Sequence, residues 1–324
     1  MNSKFIKILE YVVTIVIILT LNFFIPRLMS GDPFVILSGD NGTEISAYSE
    51  EQIEKYKAYY GLDKPLSNQY LDYIQNLCKG NLGYSIYYND TVKNIVKVRF
   101  KWTFMLVISS IFISFVLGTL IGTLSAFNQN KGLDKILYGF FMTLSEIPGF
   151  LLGIVFLFIL AGKLNLFPLS GAVTDFKNYS SFGDKFLDII YHAALPIITL
   201  TISKLGEFYV VARNSAISVI SKEYIKTAKG KGLGRKTVIF KHILRNSILP
   251  IITKMFLSLG SIVGGAILVE NVFNYPGLGK LMKEAVCVRD YPLIQGIFII
   301  VTFMVIFMNL ISDMFYKKLD PRVR

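Results

Sequence analysis

Cysteine and histidine are almost missing from this sequence. Its 324 residues hold two of each: Cys78 and Cys287, His192 and His242. Two cysteines are too few for a disulfide framework or a CxxC metal site, which favours two unpaired thiols. His192 begins the fourth apolar run and His242 lies in a basic segment, so the pair suits neither a metal site nor a Ser-His-Asp arrangement. No internal repeat is visible. Acids are also scarce, with 22 Asp and Glu against 34 Lys and Arg, for a formal net charge of +12. The cations sit beside long apolar runs, which argues against a nucleic-acid partner and for a membrane.

What the sequence has in quantity is apolar length. Hydrophobic residues make up 53% of the chain, concentrated in six runs: Ile8 to Ile25, Trp102 to Phe127, Lys135 to Ala161, Ile189 to Val211, Ile243 to Val269 and Gln295 to Phe315. A bilayer core about 30 Å thick needs roughly 20 mostly apolar residues per helix. A membrane β-barrel would show alternating stretches of roughly ten residues instead. The expectation is an all-α integral membrane protein with six transmembrane helices. The first run has a basic start, Lys4 and Lys7, but is longer than a signal core. It is followed by Pro26-Arg27-Leu28-Met29-Ser30 rather than an A-x-A-like site, so it reads as an uncleaved helix.

Lys and Arg set the orientation. With the N-terminus cytoplasmic, the inside segments hold 17 basic residues and three acids, Asp134, Glu223 and Asp320. Nine of those bases fall between Arg213 and Arg245, and the outside segments hold 15 bases against 14 acids. Both termini are then cytoplasmic and the excess charge is a topology signal. Four segments follow: a first helix at 1–26, an extracytoplasmic segment at 27–101, a core at 102–316 with a cytoplasmic loop at 213–248, and a cytoplasmic tail at 317–324.

The extracytoplasmic segment is too small and polar for a large core. Within it, the stretch from Glu50 to Lys57 reads as a short amphipathic helix and Gly61 to Pro65 as a turn. Asn274-Tyr-Pro-Gly-Leu-Gly279 cannot stay helical and makes a re-entrant or surface turn. In the long basic loop, Ser221 is placed to cap a helix running to about Lys229. Gly230, Gly232 and Gly234 interrupt it, and helix resumes from Thr237.

Four charges fall well inside apolar runs, away from their ends: Glu146, Lys204, Glu207 and Lys254. A charge in hydrocarbon costs about 2.5–3.5 kcal/mol on insertion scales. Two bases and two acids balance, which suggests pairing inside the bundle, either as the wall of a polar path or as glue between helices. Lys204 and Glu207 are three apart and share a face. Ser145-Glu146-Ile147-Pro148-Gly149 should kink the third helix beside them.

Gly230-Lys-Gly-Leu-Gly-Arg235-Lys-Thr237 has the look of a phosphate-binding loop but has Arg235 where glycine is needed and no preceding strand. A nucleotide site is therefore not expected in this chain. The same region, Glu223-Tyr-Ile-Lys-Thr-Ala228-Lys-Gly-Lys-Gly232-Leu through Asn246-Ser-Ile-Leu-Pro250, resembles the cytoplasmic "EAA" loop of ABC importer permeases. More narrowly, the chain resembles the oligopeptide/dipeptide/nickel branch. Other matching stretches occur in order: Gly31-Asp32-Pro33, Tyr60 to Pro65 followed by Gln69-Tyr70, Gly80 to Ser85, Ile147-Pro148, Leu166 to Gly171, Leu195-Pro196, Val269 to Gly279, Arg289-Asp290-Tyr291-Pro292 and Leu319-Asp320-Pro321-Arg322. Two positions depart: Lys226-Thr227-Ala228 replaces the name-giving Glu-Ala-Ala, and Asn81 stands where the branch often has Asp.

The resemblance implies a type I importer permease fold, with helix one and the extracytoplasmic segment in front of a core starting near Val98. It implies one subunit of an assembly in the plasma membrane: a second, different permease, two ABC ATPases and an extracytoplasmic binding protein. No cofactor is expected in this chain, with ATP and Mg on the partner subunits. ATPase coupling falls on Glu223, Tyr224, Thr227, Ala228, Gly232 and Leu233, with Tyr224 as anchor and the small Ala228 close to the partner's groove. Short peptides are the expected substrate, with nickel or a metal chelate as the alternative. A passive channel or membrane enzyme is the competing class; an enzyme should show an acid/base or nucleophile constellation, and none is found.

Overall fold

The computed structural model describes residues 3–29 and 50–319. The Gly31-Asp32-Pro33 stretch and most of the cytoplasmic tail lie outside the described residues. In chain order the helices are α1 (Ser3–Arg27), α2 (Glu50–Tyr59), α3 (Leu66–Cys78), α4 (Val92–Phe127), α5 (Gly132–Ser145) and α6 (Gly149–Lys163). They continue with α7 (Phe182–Ile220), α8 (Glu223–Gly230), α9 (Arg235–Val272), α10 (Leu278–Cys287) and α11 (Tyr291–Leu319). Among the described residues the only extended pairing is an isolated antiparallel bridge between Tyr84 and Thr91.

Five helices are long and apolar enough to cross a membrane, and α5 with α6 makes a sixth span if the bent pair is counted as one. The third run was expected as one kinked helix from Lys135 to Ala161. The structure has two helices there, bent by 97° at the break. Pro148 lacks an N–H and disfavours helix at the residue before it, which ends α5 and starts α6. The last part of α6, Leu157–Lys163, is π-helical.

The apolar runs mark the middles of the other spans, not their ends. The helix α7 has 39 residues, Phe182–Ile220, because polar first and last turns extend it past the hydrophobic window. Its start is capped by Ser181, whose hydroxyl accepts from the Asp184 N–H at 3.2 Å. Two short amphipathic helices, α3 and α10, arise in segments read as polar loop; neither contains a run long enough to stand out by hydropathy alone.

The described residues divide into two compact units. One joins residues up to Phe100 with Lys280–Phe303; the other joins Lys101–Gly279 with residues from Met304 on. This packing division differs from the consecutive segments read along the chain. In the first unit, Phe23 of α1 makes edge contacts with Tyr70 at 5.2 Å, and Asn22 donates to the Gln295 carbonyl of α11 at 3.1 Å. Two stretches far apart in sequence meet here. Ser85 donates to the Asp290 carboxylate at 2.5 Å, and the Tyr87 N–H donates to it at 3.0 Å. Asp290 is fully buried, and that burial pushes its carboxyl above the ordinary range. Cys78 and Cys287 are exposed, unbridged thiols.

The second unit has its core between α4, α7 and α9, with Leu106, Ile111, Leu195, Phe208, Ile251 and Ile262 buried in one cluster. Backbones approach closely at glycine. A Cβ on Gly122 would lie 2.6 Å from the Tyr209 carbonyl oxygen, and one on Gly206 would lie 2.4 Å from that of Phe141. Small residues at such crossings let membrane helices interlock.

Candidate functional site

The break between α5 and α6, the middle of α7 and the middle of α9 enclose a cavity of about 260 Å³. Three of the four charges expected inside the apolar runs form one cluster, of which Lys204 and Glu207 line the cavity. Lys204 donates to Glu207 Oε1 at 2.6 Å, one turn along α7. Lys254 of α9 lies 2.6 Å from the other carboxylate oxygen, Oε2. One carboxylate thus holds two ammonium groups, and it joins two helices that must otherwise carry charge into an apolar layer.

Glu146, the fourth, stands apart. It is exposed at the C-terminal end of α5 and lines the same cavity, but no ion pair to it occurs among the described residues. The expected balance of two pairs is therefore a triad plus one uncommitted carboxylate. Ser145, Ser203 and Ser261 add hydroxyls to the cavity wall. Gly149 brings the start of α6 against α7, since a Cβ there would lie 3.2 Å from Ser203.

The segment between α7 and α9 forms a second site. Here α7 runs to Ile220, so Ser221 ends that helix instead of capping the next; its hydroxyl donates to the Ser218 carbonyl at 2.9 Å. The next helix, α8, starts at Glu223 after Lys222, with no side-chain cap. Gly232 then turns the chain at φ +75°, a left-handed conformation that a Cβ disfavours. Helix resumes at Arg235 and continues unbroken through a π-helical stretch, Val238–Leu244, into α9.

On α8 the inner face is Ile225 and Ala228, at 0% and 5% exposure. Ile225 packs with Ala126, Ala216, Val219, Val238 and Ile243. The outward large apolar residues are Tyr224, at 45% exposure, and Leu233 beyond the turn, at 39%. Tyr224 and Ala228 were expected to share the partner-facing side. Instead Ala228 is small because it lies against its own chain, and Tyr224 alone of the two faces out. Glu223 pairs with Lys226 at 2.7 Å, both exposed, and the Thr227 hydroxyl donates to the Glu223 carbonyl at 3.2 Å.

One feature near this segment was missed from the sequence. Asp134, in the first turn of α5 and buried, accepts two hydrogen bonds from Arg213 of α7, at 2.8 and 2.7 Å. Ser125 of α4 donates to the same carboxylate at 2.6 Å and shares a hydrogen bond with Tyr209 at 2.7 Å. The fork geometry locks the ends of α4, α5 and α7 together beside the base of α8. The Asp-Arg separation along the chain leaves no local pattern to signal it. His192 is committed elsewhere, with Nδ1 2.9 Å from the Asp188 carbonyl. Among the described residues no group of three His, Cys, Asp or Glu side chains is placed to hold a metal ion.

At the turn after α9, Glu270 is buried and its carboxylate accepts from the Gly279 N–H at 2.6 Å. A Cβ on Gly279 would lie 2.4 Å from the Ile267 carbonyl oxygen. These contacts hold the Asn274–Gly279 stretch as a tight turn leading into α10, in line with the turn expected there.

Comparison with known proteins places this geometry in a family. The model of the binding-protein-dependent transport system inner membrane component matches residues 118–324. The dipeptide transport system permease protein DppB of Escherichia coli K12 is 33% identical over 96% of this chain and 95% of its own. The glutathione transport system permease protein GsiC of Pectobacterium atrosepticum is 32% identical over 100% and 99%. The di/tripeptide transport system permease protein DppB of Pseudomonas aeruginosa is 30% identical over 94% and 93%. Among solved structures, the crystal structure of an amino acid ABC transporter with histidines superposes with a TM-score of 0.50 at 12% identity. That match covers 70% of this chain and 94% of the other, and it supports the fold alone. The chain belongs to the binding-protein-dependent transport system inner membrane components, as a multi-pass permease of the plasma membrane.

Proposed function

We propose that this chain is the permease subunit of an ATP-driven importer of short peptides, forming half of the translocation path beside a second, homologous permease. The observation that carries the reading is similarity along nearly the full length to permeases named for dipeptide, di/tripeptide and glutathione transport. An extracytoplasmic binding protein delivers the peptide, and two ABC ATPases supply the energy, holding ATP and Mg. Both termini are cytoplasmic, as the excess of 17 bases over three acids on that face supports. The permease core runs from about 102 to 316, behind the first helix and the segment at 27–101.

In this reading the cavity lined by Glu146, Lys204 and Glu207, with Lys254 bound to Glu207 behind it, belongs to the path. Peptides carry an ammonium at one end and a carboxylate at the other. Glu146 offers an acceptor for the first, and the lysines, shared on a single carboxylate, keep N–H groups for the second. The segment Glu223–Leu233 docks on an ATPase through Tyr224 and Leu233, with Gly232 setting the turn.

The test is uptake by proteoliposomes containing this chain, its partner permease, the ATPases and the binding protein. Labelled di- to hexapeptides should accumulate with ATP and not without it. Nickel uptake without peptide uptake would overturn the substrate, and ATP-independent flux would overturn the transporter class.

A further inference from the structure

The first unit contains its own cavity, about 460 Å³ in volume, a size typical of small-molecule sites. Arg27 stands on its wall. The guanidinium lies 3.6 Å over the Phe23 ring. Its Nε and Nη2 both donate to Gln69 Oε1 at 3.0 Å, and Nη1 donates to the Phe23 carbonyl at 2.9 Å. Three of the five N–H donors of a guanidinium are thereby used and the plane is fixed; two remain. No ion pair to Arg27 occurs among the described residues. Asp72, the acid on the cavity wall, is held by Lys64 at 2.7 Å.

Two more donors on this wall lack a partner. The Gln295 side chain is 8% exposed, and its Nε2 is buried without a hydrogen bond among the described residues. The Tyr73 hydroxyl is likewise buried, beside the Asn22 side-chain amide but without a close hydrogen bond among the described residues. Burial pushes that phenol up to about 12, so it stays protonated and able to donate at neutral pH. A buried donor left without an acceptor is unfavourable. A half-buried cation and two orphaned donors on one cavity together describe a site for an anionic ligand with several acceptor oxygens.

Depth selects the ligand. The apolar stretch of α1 ends at Arg27 and that of α11 begins at Tyr291. Asn22 bonds to the Gln295 carbonyl, so these two helix ends lie side by side at one membrane boundary. The wall continues to Ile299, which at 1.5 Å per residue is about 12 Å along α11 from its start. The cavity thus begins at headgroup level and reaches into the apolar layer. We infer that it binds a membrane phospholipid, with the headgroup phosphate on Arg27, Tyr73 and Gln295 and the glycerol and upper acyl chain along Leu77 and Ile299. This ligand is independent of the transported substrate.

The test is native mass spectrometry of the full-length chain in detergent, with phosphatidylglycerol or phosphatidylethanolamine added. Inorganic phosphate and a dipeptide, with a free or amidated C-terminus, serve as competitors. Retained lipid should fall about tenfold in Arg27→Gln and about threefold in Tyr73→Phe. Lys93→Gln, which removes an exposed cation of the same unit, should leave it unchanged. Tyr73→Phe removes one oxygen only and decides the matter if Arg27→Gln does not fold. Wild-type lipid retention in the folded variants would overturn the inference. So would displacement of the lipid by inorganic phosphate, or by the dipeptide only when its carboxylate is free; these would identify a soluble anion or a peptide end as the ligand.

Discussion

Glu207 is asked to satisfy two cations at once, and that asymmetry makes its role testable at the level of one side chain. Lys204 and Lys254 both sit 2.6 Å from its carboxylate. The side chains are about 20–32% exposed and two of them line the cavity, so with water there the cluster is screened below a dry pair. Replacing Lys254 with Met leaves the neutral Lys204–Glu207 pair intact and should cost less than about 1 kcal/mol. Replacing Glu207 with Gln strands two ammonium groups together and should cost about 2–3 kcal/mol, below the about 3–5 kcal/mol of a fully buried broken pair. Thermal unfolding of the purified chain should therefore rank Glu207→Gln below Lys254→Met. The opposite ranking would mean that the lysines find their counter-charge elsewhere, with Glu146, the other carboxylate on the cavity wall, as the candidate. The sequence made these charges visible because each is expensive in an apolar run. It did not show that three would cluster and one stand apart, since that depends on where the α5–α6 break places Glu146.

The short helix α8 shows what a helical face means once the chain has folded. Spacing of four put Tyr224 and Ala228 on one side, but Ala228 is buried, while Tyr224 faces out at 45% exposure. The two positions should then fail differently. Tyr224→Ala should leave the melting temperature of the chain unchanged, as surface truncations usually do within about 0.5 kcal/mol. If Tyr224 is the anchor, the variant should weaken ATPase association about tenfold or more, as loss of a buried interface aromatic does. Ala228→Trp should lower the melting temperature by overpacking, at about 1–3 kcal/mol, before any partner is added. Co-purification of the ATPases with Tyr224→Ala at the wild-type ratio would remove Tyr224 from the interface. At this scale the long spans, the interruption at Pro148 and the Gly232 turn were all legible, because each follows from hydropathy or from a backbone restriction. The amphipathic α3 and α10 were not, since a few half-buried residues in a polar segment give no run. Nor was the Asp134–Arg213 fork, whose partners meet only after α5 and α7 have packed.

For the molecule as a whole the open variable is parity, and it turns on the bent pair α5–α6. If the pair crosses the membrane as one span, three crossings separate Cys78 from Leu233 and four separate Cys78 from Cys287. If the pair is a re-entrant loop, those numbers become two and three, and the sidedness of everything after it reverses. Charge favours the crossing. Under the re-entrant alternative the nine bases between Arg213 and Arg245, with Glu223 as their one acid, would lie outside, against the distribution that Lys and Arg follow in short loops. Both native cysteines are exposed, so the molecule carries its own reporters. A membrane-impermeant maleimide applied to right-side-out vesicles should label Cys78 in Cys287→Ser and Cys287 in Cys78→Ser alike. A cysteine placed at exposed Leu233, with both native thiols replaced by serine, should be labelled only after the membrane is opened. Labelling of Cys78 and Cys287 from opposite sides would make α5–α6 a re-entrant loop. It would also move Glu223–Leu233 off the face where the ATPases act, so the coupling role would fall with the topology.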